Sequence, residues 1–142
     1  MIRIALLLVA VGLMVAADTK DDAKKELEKF AGTWIVVSVE RGGEKTPDDM
    51  VKSFNLKLVI KGDAYESFFG ENSVDKGTLK VDASKTPKAV DILTKGMTIQ
   101  AIYEFSGDEM KCCYDFSGKE RPKEFKTAAG TMQMLAVYKK QK

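Results

Sequence analysis

Histidine is absent from this chain of 142 residues. That removes histidine-containing triads, the common zinc sites and histidine-ligated haem. Cysteine is scarce: the two present, Cys112 and Cys113, are neighbours. Adjacent residues on a strand point to opposite faces, so a disulfide between them is geometrically poor. The chain is therefore expected to fold without a disulfide framework, with both sulfurs acting as small core or surface groups. An excess of one charge is also lacking. The 23 basic residues against 21 acidic ones leave a formal charge of +2. That gives no basic footprint for nucleic acid and no electrostatic case for an acidic membrane. Gly-x-Ser-x-Gly, Walker and dinucleotide-binding patterns are all missing. Hence no enzyme activity, catalytic residue, cofactor or metal site is expected. Asp82 and Asp91 flank Ser84-Lys85-Thr86-Pro87, but a calcium loop needs a denser run of oxygen ligands. Both are read as turn formers.

What is present begins with an apolar N-terminal run. Met1-Ile2-Arg3 gives a positive start, Ile4 to Met14 is almost wholly apolar, and Val15-Ala16-Ala17 offers small residues for a peptidase. The run is short for a membrane span and ends at Asp18. Residues 1–17 therefore read as a signal peptide cleaved after Ala17. The expected product is an exported, periplasmic or secreted single domain of residues 18–142, with no stable membrane insertion after signal removal. Without Arg3 its formal charge is +1. The lysine-rich end, Lys139-Lys140-Gln141-Lys142, reads as a solvated tail.

Thr19 is a helix cap candidate, and Ala23, Leu27 and Phe30 recur at helical spacing on an otherwise charged segment. Gly32 ends that helix. Trp34 to Val39 is apolar on both faces, as in a strand covered on both sides. Thr46-Pro47-Asp48-Asp49 predicts a second short helix, with Thr46 as cap, Pro47 at the first helical position and an end near Phe54.

Period-two patterns follow. Leu56, Leu58 and Ile60 share a face, and Lys61-Gly62-Asp63 turns into Tyr65 to Phe69. Gly70 to Ser73 turns again, and further strands are marked by Leu79 with Val81 and by Val90 to Leu93. Met97, Ile99, Ala101, Tyr103 and Phe105 alternate most regularly. Ser106-Gly107-Asp108 makes a hairpin turn to Met110, Cys112, Tyr114 and Phe116. Thr131 to Lys139 is the last strand. About eight strands joined by short turns predict an all-β fold: a small antiparallel up-and-down barrel with a short N-terminal helix and one short helix between the first two strands.

Several segments in order carry a resemblance. They are Gly32-Thr33-Trp34, Gly77-Thr78-Leu79-Lys80-Val81-Asp82, Pro87-Lys88-Ala89-Val90-Asp91, Ile102-Tyr103-Glu104, Cys113-Tyr114 and Lys119-Glu120-Arg121-Pro122-Lys123-Glu124-Phe125. Together they resemble the lipocalin-like domain of unknown function expanded in planctomycete bacteria. The resemblance implies a lipocalin-like barrel, often exported, and neither an activity nor catalytic residues. It also implies that Trp34 packs near the closed end beneath a basic side chain from a late strand, with Arg121 the best candidate for that cation. The plainer reading of Arg121 pairs it with Asp82, Asp91 or Glu104 to fix a loop, and Pro122 keeps that segment out of a central strand.

The candidate ligand-binding interior comprises Trp34, Val36, Leu56, Leu58, Leu79, Ile99, Tyr103, Met110, Tyr114 and Arg121, with Val81, Ala101 and Cys112 also facing inward. Such a lining suits a small apolar or amphipathic molecule, oriented by two tyrosine hydroxyls. The alternative is a filled barrel serving as a cell-envelope interaction or structural module. It would act through loops around Arg41 to Asp49 and Ser117 to Lys126.

Overall fold

The computed structural model describes residues 22–142. The expected signal peptide and the Thr19 cap lie outside the described residues. Residues 22–30 form a helix, α1. Nine strands and a second helix follow. They are β1 (Gly32–Arg41), β2 (Glu44–Lys45), α2 (Asp48–Phe54), β3 (Leu56–Lys61), β4 (Ala64–Phe69), β5 (Asn72–Asp82), β6 (Ala89–Thr94), β7 (Met97–Ser106), β8 (Glu109–Asp115) and β9 (Gln133–Lys140). Every pairing is antiparallel. The order β1-β3-β4-β5-β6-β7-β8-β9, closed by pairing of β1 with β9, makes an eight-stranded barrel with β2 as a short extra strand. The expected small all-β barrel is what the chain forms.

Side chains alternate as the period-two patterns require. On β7 the inward Ile99, Ala101 and Tyr103 are all buried, and on β8 so are Met110, Cys112 and Tyr114. These residues join Trp34, Val36, Val81, Val90, Ile92, Ala136 and Tyr138 in one core. Fully burying a side chain such as Met110 contributes roughly 1.5–3 kcal/mol.

β1 departs from the simple reading. A bulge between Val36 and Ser38 shifts its register against β9. Trp34 and Val36 face inward before it and Val39 after it, so the continuous apolar run reflects a change of face within a single strand. α2 also begins differently. Pro47 occupies the cap position, with no side-chain cap. Its carbonyl accepts from the amides of Met50 and Val51, while the Thr46 amide donates to Val39 in β1. Thr46 is thus held by the sheet rather than by the helix. Finally, β5 starts at Asn72, well before Leu79. Its polar first half resembled a turn because it lacks apolar alternation.

α1 closes one end of the barrel. The Phe30 ring packs edge-on against Tyr103 and Phe105, at 4.7 and 5.0 Å between centroids. The Trp34 indole N–H donates to the Phe30 carbonyl at 2.8 Å, satisfying one of the carbonyls that a helix C-terminus leaves open. Glu26, buried on the same helix, accepts from the Tyr103 hydroxyl at 2.6 Å and pairs with Lys29 and Lys88. Burial raises the Glu26 pKa, but the hydrogen bonds from Lys29, Tyr103 and Lys88 outweigh it and hold the carboxyl below its ordinary value. At the other end, α2 leans on β1 through the fully buried Val51.

Candidate ligand cavity

Two adjacent compartments occupy the barrel, the inner one reaching Phe30 of α1 and the outer one lying toward α2. The inner one, about 150 Å³, is lined mainly by apolar and aromatic side chains, among them Phe30, Ile60, Leu79, Ile99, Met110 and Tyr114. The outer one, about 550 Å³, lies beneath α2 and opens at the mouth. Leu58, Ser67, Met134 and Tyr138 line both. The outer compartment alone lies within the usual range for small-molecule sites, whereas the inner one is below it. Met50, Phe69 and Val74, which line the outer compartment, are large apolar side chains left exposed, as are Met97 at the start of β7 and Met132 just before β9.

The sequence-derived residues divide by position. Leu58, Leu79, Ile99, Met110 and Tyr114 line the inner compartment, and Val36 and Leu56 the outer. Trp34 and Tyr103 belong to the packed floor around α1 and line neither compartment. Val81, Ala101 and Cys112 are buried in the core.

Arg121 is not in the interior. It crosses the outside of the wall formed by β6 and β7. There its guanidinium pairs with the outward-facing Asp91 and donates to the Val90 and Ala101 carbonyls, at 3.2 and 2.8 Å. It therefore anchors the segment between β8 and β9, as the plainer reading held. The cation over Trp34 is Lys140, with Nζ 5.4 Å from the ring centroid. This corrects both the choice of Arg121 and the description of the lysine-rich end as a solvated tail. The Gln141 amide donates to the Thr33 carbonyl at 2.8 Å, which ties that end to β1.

Asp82 behaves as a turn former, its Oδ1 accepting from the Ser84 amide at 3.0 Å, whereas Asp91, read as one too, lies within β6 and pairs with Arg121. Cys112 faces the core and Cys113 the outer wall, where its Sγ meets the Lys126 carbonyl at 3.4 Å. Both are buried free thiols, and burial pushes Cys112 up to about 12.

Several interior polar groups, Asp75, Tyr65, Thr94 and Tyr138, were not anticipated, whereas Tyr114 was. Asp75 lines the inner compartment. Its Oδ2 accepts from the Tyr65 hydroxyl at 2.7 Å and its Oδ1 from the Thr94 hydroxyl at 2.6 Å. Burial, and then the bond to Asp75, pushes Tyr65 up to about 12. The Tyr114 and Tyr138 hydroxyls pair at 2.7 Å, and burial raises both. The alternation Met134-Ala136-Tyr138 along β9 was available as a signal for the last of these. Asp75 is in phase with Leu79 and Val81, but the polar stretch before Leu79 carries no apolar alternation to extend the strand back to it.

No helix among the described residues is long and apolar enough to cross a membrane, and no group of three or more potential metal ligands occurs among them. Comparison with protein-family models and with curated proteins gives no match.

Proposed function

We propose that this chain is an exported lipocalin-like protein that binds a small apolar or amphipathic molecule inside its barrel. The observation that carries this reading is the pair of adjacent compartments, a mostly apolar inner pocket and a larger outer one, which share Leu58, Ser67, Met134 and Tyr138 in their linings. The proposed export rests on the N-terminal apolar run and its small-residue ending. The resemblance to the planctomycete lipocalin-like family is consistent with both.

Methionine methyl NMR tests the binding. Met110 and Met134 line the inner compartment, and Met134 also the outer. A saturable ligand shifts these two methyls. An absence of saturable shifts across single-chain amphiphiles and isoprenoids removes the reading. N-terminal sequencing of protein recovered outside the cytoplasm tests the cleavage after Ala17.

A second reading is favoured by the exposed Met50, Phe69 and Val74 of the outer compartment. In it the barrel is an envelope interaction module that docks through its mouth. Charged substitution of Met50 and Phe69 would then abolish partner capture from envelope extracts, with no small-molecule response.

A further inference from the structure

The one carboxylate in the lining of the inner compartment is Asp75, which shares the inward face of β5 with Leu79 and Val81 and lies next to an irregularity in the sheet. Ser67 of β4 pairs with Asp75, but the next residue, Phe68, pairs with Ser73. Val74 is the extra residue of this bulge, and it lines the mouth while Asp75 lines the inner compartment. Bulges re-aim side chains in this way beside functional sites.

We infer that the polar anchor of the cavity is Asp75 and that its ligand is an amphiphile with a protonated amine head. This rests on the ligand-binding reading above and specifies its ligand class. Each Asp75 oxygen accepts one hydroxyl, from Tyr65 or Thr94. A carboxylate has about four acceptor positions, so both oxygens retain capacity. None of the ion pairs among the described residues includes Asp75. The surrounding apolar lining strengthens the attraction between a carboxylate and a cation. The same field repels an anion. The rings of Tyr65, Tyr114, Phe116 and Phe30 line the same compartment, and an ammonium group is attracted to aromatic rings. A competing arrangement would seat an anionic head on Arg41, which lines the outer compartment at the mouth. The two arrangements predict opposite head-group preferences.

The experiment compares dodecylamine, dodecanol and dodecanoate, each below its micelle concentration, by calorimetry and methionine methyl NMR on the mature chain. Dodecylamine is expected to bind at least about tenfold more tightly than dodecanoate, a difference of about 1.4 kcal/mol. Asp75→Asn is expected to bring the two within about threefold of each other while leaving dodecanol unchanged. Dodecanoate equal to or tighter than the amine overturns the inference and leaves the proposed function standing. An amine preference that persists in folded Asp75→Asn also overturns the assignment to this residue. Binding of none of the three overturns the inference together with the reading beneath it. The head-group ranking on the unsubstituted chain decides the matter even if the variant fails to fold.

Discussion

Lys140 lies across the face of Trp34, and Gly32 is the residue that leaves room for it. The ammonium is 5.4 Å from the indole centroid. Gly32 has φ +129°, and a Cβ there would fall 2.9 Å from Lys140 Cε. The glycine of the Gly-x-Trp sequence thus serves the packing of a cation contributed by the opposite end of the chain. Gly32→Ala is expected to lower stability by about 1–3 kcal/mol, through backbone strain and displacement of Lys140. Urea unfolding measures the loss, and native Trp34 fluorescence reports the altered ring environment. An unchanged unfolding midpoint would contradict this account.

The Glu26 cluster makes the acid limb of stability partly its own. Its folded pKa is lowered, so the native state binds the proton less readily than the unfolded chain does. The stabilisation is present above the unfolded value, near 4.5, and is lost as pH falls through the lowered folded pKa. Tyr103→Phe removes one of the hydrogen bonds that lower it. The stability gap between wild type and Tyr103→Phe should be largest above pH 5, at about 1–3 kcal/mol, and should shrink toward pH 3. Thermal melts across that range check the sign.

Gly77 sits in β5 where the backbone passes closest to β6. A Cβ there would run into the Leu93 carbonyl and lie 3.0 Å from the Tyr65 ring. Gly77→Ala forces strand backbone rather than a flexible side chain to move. It is expected to cost about 1–3 kcal/mol and to disturb the Tyr65–Asp75 hydrogen bond. Urea unfolding gives the first quantity, and the Tyr65 ring resonances report the second.

Arg121→Ala separates the outer wall from the cavity. The substitution removes the pair with Asp91 and the donations to Val90 and Ala101. Limited proteolysis should accelerate within residues 116–132, while ligand-induced shifts of Met110 and Met134 stay the same. A loss of ligand response with proteolysis unchanged would return Arg121 to the interior.

The thiols should be silent in the native state. Cys112 and Cys113 are buried on opposite faces of β8, and burial raises both thiols. A thiol reagent at neutral pH is expected to label neither in native protein and both in denaturant. Native labelling of Cys113 alone would show that the segment over Lys126 opens locally.

Strand positions were legible because β7 and β8 alternate strictly, and one buried face leaves such strands a single register. Legibility ended where alternation is interrupted. Val39 lies beyond a bulge, which changes the parity that faces inward without altering composition, and Asp75 keeps the parity of Leu79 and Val81 but sits in a polar half-strand with no apolar neighbour to mark it. Arg121 was misplaced in the interior for another reason. Its partners Asp91, Val90 and Ala101 lie on strands 20 to 31 residues away in sequence, and only the assembled wall brings their acceptors together. Tyr103 was correctly placed on the inner face but not at the floor, because the Glu26 that engages it is separated from it by 77 residues.

The pairing of β1 with β9 has a consequence for how the protein is made. Both neighbours of the last gap, β1 and β8, keep an unpaired edge until Gln133–Lys140 is available to fill it. A chain emerging N-terminus first therefore cannot close its ring during most of synthesis. The other strands can pair in sequence order as an open sheet, and the last strand alone turns that sheet into a ring.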